Sequence, residues 1–169
     1  IDWSRVNAFH MDEYVGLDPA HPAGFRNFLK RAIFDQKPFR SVHLLNGNAD
    51  DPEAEAVRYD RLLRSNPLDV CLLGIGENGH IAFNDPPVAD FADPRFVKVV
   101  ALEQRCRVQQ VNDGCFACVD LVPTHALSVT IPGLVQAANM FCSVPAATKA
   151  EAVAHTLHDP VSTACPATI

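Results

Sequence analysis

The run Asp69-Val70-Cys71-Leu72-Leu73-Gly74-Ile75 narrows the possible folds more than any other stretch of this chain. It is nearly all apolar, as a central parallel strand buried on both faces should be. A turn-rich segment follows at once, from Gly76 to Pro94. On either side, apolar runs alternate with helical periodicity, the pattern of an α/β layer architecture. At 169 residues the chain is one domain's worth, read as a single unit over 1–169 with no internal repeat or linker.

Val6 to Met11 reads as the first strand. Pro22 opens a helix whose inward face is Phe25, Phe28, Leu29, Ala32 and Ile33, spaced i, i+3, i+4, i+7, i+8. Ser41 to Leu45 is a short strand, ended by the turn-forming Asn46-Gly47-Asn48-Ala49-Asp50-Asp51-Pro52. The next helix covers Pro52 to Arg64, with Ala56, Tyr59, Leu62 and Leu63 inward. Phe96 to Leu102 reads as strand, Gln104 to Val111 as a short helix, and Ala126 to Ile131 and Asn139 to Val144 as two more strands. Thr148 to His158 forms the last helix, with Thr148 and Glu151 as a capping box.

Composition excludes several classes of function. Apolar residues make up 48% and charged residues 20%, unlike a disordered chain. Fourteen basic against 20 acidic residues give a formal charge of −6, and no basic run interrupts it, so nucleic acid and anionic membranes are poor partners. Apolar stretches fall far short of the roughly 20 residues a bilayer span needs. With no signal-peptide pattern at its start, the sequence reads as soluble and cytoplasmic. Of the six cysteines, Cys115 and Cys118 are the one close pair, and no second pair completes a zinc set. Cys71 and Cys142 lie in apolar runs, where cysteine acts as a small hydrophobe. No metal is expected.

In open α/β sheets, ligands sit beyond the carboxyl ends of the strands. Three features qualify. The first is His10-Met11-Asp12-Glu13-Tyr14 after the first strand, where adjacent carboxylates can supply a general base beside a carbonyl or imine. Side chains alternate along extended backbone, so one carboxylate can face substrate while the other holds its neighbours; a solvated loop start or a helix cap is the plainer reading. The second is the glycine-spaced turn Gly74-Ile75-Gly76-Glu77-Asn78-Gly79-His80, whose backbone N–H groups can approach an anion or sugar closely. It fits G-x-G-x-x-G formally, but it leads into a Pro-rich loop rather than a helix, which argues against a dinucleotide. His80, flanked by Asn78 and Asp85, can form a proton relay or be held for structure alone. The third is Lys149, a cation at a helix N-terminus, where it calls for an anionic ligand or a nearby carboxylate, unless it is a plain surface lysine.

These segments resemble the glucosamine-6-phosphate deaminase family. His10-Met11-Asp12-Glu13-Tyr14-Val15-Gly16-Leu17 resembles its Met-Asp-Glu-Tyr signature, and Gly74-Ile75-Gly76 through Asn84-Asp85-Pro86 resembles its Gly-rich His motif. Leu44 to Asn48, Ala126 to Thr130 and the Lys149 segment follow in the family's order. The resemblance implies an open αβα sandwich with a mostly parallel, Rossmann-like sheet. It implies conversion of glucosamine 6-phosphate to fructose 6-phosphate and ammonia, as in amino-sugar (N-acetylglucosamine) catabolism, with no cofactor. By motif position, Asp12 would move a proton between C2 and C1. His80 would open the sugar ring, oriented by Asp85 and Asn78. Lys149, Glu13, Gly76 and Gly79 would bind substrate, with Lys149 on the 6-phosphate.

Some members carry Asp in place of Asn78 and Glu in place of Asp85. A phosphate-binding arginine of some members has no clean counterpart; Gln110 falls near its place, with Arg105 and Arg107 close by. The family's phosphate-cradling strand and loop would precede Ile1, so the sequence reads as a fragment cut at both ends and lacking its N-terminal strand–loop–helix unit. A 6-phosphogluconolactonase-type hydrolase and a non-catalytic sugar-phosphate regulator are the alternatives. The only partner expected besides the small-molecule amino-sugar phosphate is a second copy, since acidic α/β enzymes are often homo-oligomers.

Overall fold

The computed structural model describes residues 1–169. Seven strands form three sheets. β1 (Asn7–Phe9) pairs in parallel with β3 (Ser41–His43), and β4 (Val70–Leu73) pairs in parallel with β7 (Asn139–Cys142). β2 (Asp12–Tyr14), β6 (His125–Val129) and β5 (Val97–Ala101) form an antiparallel sheet with β6 in the middle. The helices are α1 (Phe25–Leu29), α2 (Pro52–Arg64), α3 (Gln104–Asn112), α4 (Ile131–Val135) and α5 (Ala150–His158). The open α/β architecture is as expected, with the antiparallel sheet as an addition. No helix is long and apolar enough to cross a membrane.

The expected first strand, Val6 to Met11, breaks in two. β1 ends at Phe9, and the chain joins a different sheet at Asp12. Tyr59 on α2 holds the break. Its hydroxyl accepts the His10 N–H at 2.8 Å and lies 2.9 Å from the His10 carbonyl and 2.8 Å from that of His43. The His10 N–H also donates to the His43 carbonyl at 3.1 Å, so the phenol caps the last backbone bond of the β1–β3 pair and supplies a donor to the His10 carbonyl.

Local chemistry explains the helices. α2 starts where expected because Asp51 accepts the Glu53 and Ala54 N–H groups, Pro52 occupies the first turn, and Arg61 and Arg64 close the last. α1 starts at Phe25 rather than Pro22, and no side chain of its own N-cap, Gly24, satisfies it. Its free N–H groups instead reach the buried carboxylate of Glu13, which accepts from Phe25 at 3.1 Å and Arg26 at 2.9 Å. The segment continues as a π-turn, Lys30–Phe34, which rotates the expected inward face, so Phe28 is 56% exposed and Ala32 is exposed too.

The main core gathers Leu45, Tyr59, Leu63, Ile81, Leu127 and Ile131, and a second cluster packs Tyr14, Phe83, Cys106 and Phe116. Four expectations fail. β4 is not buried on both faces: Cys71 points inward, whereas Leu72 is 68% exposed. Cys142 on β7 is exposed rather than packed. The strand at Ala126 stops at Val129, because Thr130 caps α4 by accepting the Gly133 N–H. The Thr148–Glu151 capping box does not form, since a 3₁₀ turn over Ala147–Lys149 makes Lys149 the N-cap of α5.

Tyr59 is fully buried, so Tyr59→Phe leaves the His10 carbonyl without its donor, while the His10 N–H and the His43 carbonyl keep each other. This should destabilise the protein by about 1–2 kcal/mol, read as a lower urea midpoint with an unchanged slope.

Candidate active site

Parallel pairing sends the carboxyl ends of β4 and β7 out of one sheet edge. The glycine turn leaves from the first and the Lys149 segment from the second. Gly76 sits against the His80 imidazole: a Cβ there would lie 2.1 Å from the ring. Gly79 has φ +80°, and its Cβ would lie 2.5 Å from the Cys165 sulfur. Each is glycine because backbone packs where a side chain would stand. A tight turn over Ile81–Asn84 then aims Asp85 back at the histidine. Asn84 braces that turn by donating to the Ile81 and Val129 carbonyls, and Ser128 on β6 by accepting the Phe83 N–H at 3.0 Å.

Asn78, His80 and Asp85 come together as expected. His80 Nδ1 lies 2.7 Å from Asn78 Oδ1 and 3.0 Å from Asp85 Oδ1. Two acceptors therefore face Nδ1, which places the imidazole proton there, and Nε2 makes no hydrogen bond within the protein. Asn78 Nδ2 donates to Asp85 at 2.9 Å and to Glu103 Oε2 at 2.6 Å. Burial opposes the charge on Asp85, but hydrogen bonds from His80, Asn78 and the Glu103 N–H outweigh it and hold its carboxyl below the usual range. The shorter Asp85 therefore reaches His80 directly.

The paired acids at Asp12 and Glu13 take opposite roles. Glu13 is buried and also accepts the Tyr14 N–H at 3.0 Å, with the Arg26 guanidinium at 3.9 Å. With both oxygens engaged in holding β2 to α1, its carboxylate does not face the site, contrary to the substrate-binding role expected for it. Asp12 lies on the alternate face, opposite Ser128 in the β2–β6 ladder. Desolvation, reinforced by the charge of Glu13, pushes its pKa up to about 7. Between the two halves lies Cys106, whose thiol is pushed far up by burial and then by the charges of Asp85 and Asp12. Its sulfur lies within 4.8 Å of the His80 and Asp85 ligand atoms.

His80, Asp85 and Cys106 hold donor atoms within 4.8 Å of one another, the one cluster with the composition of a metal site. Their hydrogen bonds already engage His80 and Asp85. Lys149 is half-buried and has no ion pair or hydrogen bond from its ammonium to the protein. Of the residues near the missing arginine's place, Arg107 donates to the Val119 and Val122 carbonyls, and Arg105 donates to the Glu77 carbonyl. Gln110 is buried, and its neighbour Gln109 accepts the Glu77 N–H. Sequence reasoning missed Glu103 and Cys106. Both read as ordinary positions at the start of α3, and only the fold brings them to Asn78 and Asp85.

A carboxyl with a raised pKa, a histidine held at Nδ1 and a lysine without a protein partner thus stand on one open α/β sheet domain. The chain belongs to the family of glucosamine-6-phosphate isomerases and 6-phosphogluconolactonases, which it matches over residues 1–169. Within it, the named relatives are deaminases. The glucosamine-6-phosphate deaminase of Exiguobacterium sp. (strain ATCC BAA-1283 / AT1b) is 40% identical over 169 residues, all of this chain and 65% of its own. That of Streptococcus pneumoniae serotype 4 is 37% identical over 99% of this chain and 70% of its own. The chain thus spans about two thirds of the length of these curated relatives. A solved structure described as a monomeric glucosamine-6-phosphate deaminase superposes with TM-score 0.85 at 34% identity, over 95% of this chain and 66% of that one. The 6-phosphogluconolactonase of Thermotoga maritima, at 19% identity and TM-score 0.73 over 97% of this chain and 68% of its own, shares the fold.

The raised Asp12 pKa has a measurable cost. Between about pH 4 and pH 7 the folded protein binds more protons at Asp12 than the unfolded chain does, so stability falls as pH rises through that window. Asp12→Asn removes the cost. Its stability relative to wild type should grow from pH 4 upward and level off above pH 7 at about 4 kcal/mol, measured by urea unfolding at each pH.

Proposed function

We propose that this protein isomerises and deaminates glucosamine 6-phosphate, giving fructose 6-phosphate and ammonia, a step of amino-sugar catabolism. The observation that carries the reading is the His80 imidazole, held at Nδ1 by Asn78 and Asp85 with Nε2 unengaged; the Asp12 carboxyl, pushed up to about 7 by burial and the charge of Glu13, fits the base the reaction needs. A base poised near working pH combines a useful ionised fraction with the greatest strength. The match to named deaminases over the whole chain supports it.

His80 Nε2 takes the proton of the anomeric hydroxyl and returns one to the ring oxygen, opening the pyranose to the free aldehyde. Asp12 then removes the proton at C2 and delivers it to C1. With a second proton passing from the amine nitrogen to the C1 oxygen, that transfer turns the C2 amine into an imine and the C1 aldehyde into an alcohol. Water adds to the imine carbon, and ammonia leaves the ketose. Lys149 binds the phosphate dianion, its ammonium free of any carboxylate within the protein. The Asp12 carboxylate is more basic than an ordinary aspartate because Glu13 and the packing around it disfavour its charge, and a proton relieves that cost.

The reading is tested on the protein as its own cell makes it, by release of ammonia and fructose 6-phosphate from glucosamine 6-phosphate. Asp12→Asn should lower kcat by about 10²- to 10⁴-fold with substrate binding retained. Hydrolysis of 6-phosphogluconolactone with no turnover of the amino sugar would assign the site to the lactonase branch, where no base at C2 is needed. Binding of the sugar phosphate without either reaction would make the protein a regulator.

A further inference from the structure

The Asn78 amide has an oxygen and a nitrogen end, and the way it points decides what His80 meets. Its NH₂ end faces two carboxylates, Asp85 at 2.9 Å and Glu103 at 2.6 Å. Its oxygen end faces the His80 backbone N–H at 3.1 Å and Nδ1 at 2.7 Å. An amide carries two N–H donors, and here each has an anionic acceptor. Turning the amide over would set its oxygen against both carboxylates and strand the His80 N–H.

Glu103 contributes to this from both ends. Its own N–H donates to Asp85 Oδ2 at 3.2 Å, while its carboxylate takes the second Asn78 proton. Glu103 is also the N-cap of α3, where a carboxylate would ordinarily accept an N–H of the first turn. It makes no such bond. The side chain is directed into the network at the expense of its own helix.

We propose that Glu103 is a positioning residue for His80. It fixes the Asn78 amide so that Oδ1 accepts from Nδ1, which holds the imidazole as the Nδ1–H tautomer with Nε2 as the base. Asn78 is uncharged; Asp85 sets one carboxylate 3.0 Å from Nδ1, and Glu103 adds a second anion one hydrogen bond behind the Asn78 amide. Where a relative has a carboxylate at position 78, that residue is acceptor and charge at once; here Asn78 is the nearer acceptor, and Glu103 orients and polarises it from behind. The inference rests on the ring-opening role given to His80 above, but its central claim concerns a tautomer and is read without turnover.

The test compares Glu103→Met, which keeps the side chain's length and loses the acceptor, with Glu103→Gln, whose amide oxygen can still accept. Imidazole ¹⁵N shifts of His80 are recorded over a rising pH series, and the tautomer is read where the shifts no longer change with pH. Wild type and Glu103→Gln should show the Nδ1–H form. Glu103→Met, folded by its thermal melt, should show a mixed or Nε2–H population. Its kcat should fall by about 10- to 100-fold with KM within threefold, and Glu103→Gln should recover most of that loss. Asn78→Asp placed in the Glu103→Met background should restore the Nδ1–H form by putting a second carboxylate, beside Asp85, on Nδ1. An unchanged Nδ1–H tautomer in Glu103→Met overturns the proposal whatever the activity. The expected tautomer series in a protein that does not turn over the amino sugar upholds it and overturns the deaminase reading instead.

Discussion

A tyrosine hydroxyl holds the chain at the point where it leaves one sheet for another. The ladder of β1 and β3 ends with the His10 N–H on the His43 carbonyl, which leaves the His10 carbonyl beyond it, and a buried C=O without a partner is costly. Tyr59 reaches across from α2 to serve His10 and His43 together, so the first two parallel strands end at one place. Asp12 emerges two residues later in the antiparallel sheet, opposite Ser128, which in turn braces the turn behind His80. Asp12 and the turn behind His80 are therefore carried by a single strand pairing.

Electrostatic separation then assigns the acids. Three carboxylates of the site have different surroundings. Glu13 spends its oxygens on the N–H groups of α1, Asp85 is held ionised by three donors, and Asp12 receives burial and a like charge. Groups whose environments push their pKa values apart are those able to divide acid and base work between them. The anchoring of Glu13 contributes twice, since the carboxylate that starts α1 also raises the basicity of its neighbour.

Much of this was legible in the sequence. Asp51-Pro52 marked the start of α2 because its cap, first-turn proline and terminal charges are all local. The glycines and His80 were legible because close backbone packing leaves glycine as its signature. Other features depended on distant partners. An apolar run such as β4 cannot reveal whether a layer covers its second face, and Leu72 has none. The start of α1 depends on Glu13, twelve residues earlier, and the shift of its inward face on a π-turn that no spacing rule anticipates. Glu103 carried no signal at all, because at the start of a helix a glutamate looks ordinary and its partner stands twenty-five residues away.

The placement of the thiols bears on how the molecule can be handled. Cys106 lies among carboxylates that disfavour its thiolate, the form that reacts with alkylating reagents and oxidants. Cys115, Cys118 and Cys142 stand on the surface. Maleimide dyes, spin labels or a resin linker will therefore attach to the periphery and spare the thiol beside Asp85. The chain thus offers ready-made attachment points for spectroscopy or immobilisation, without any cysteine having to be engineered in or out.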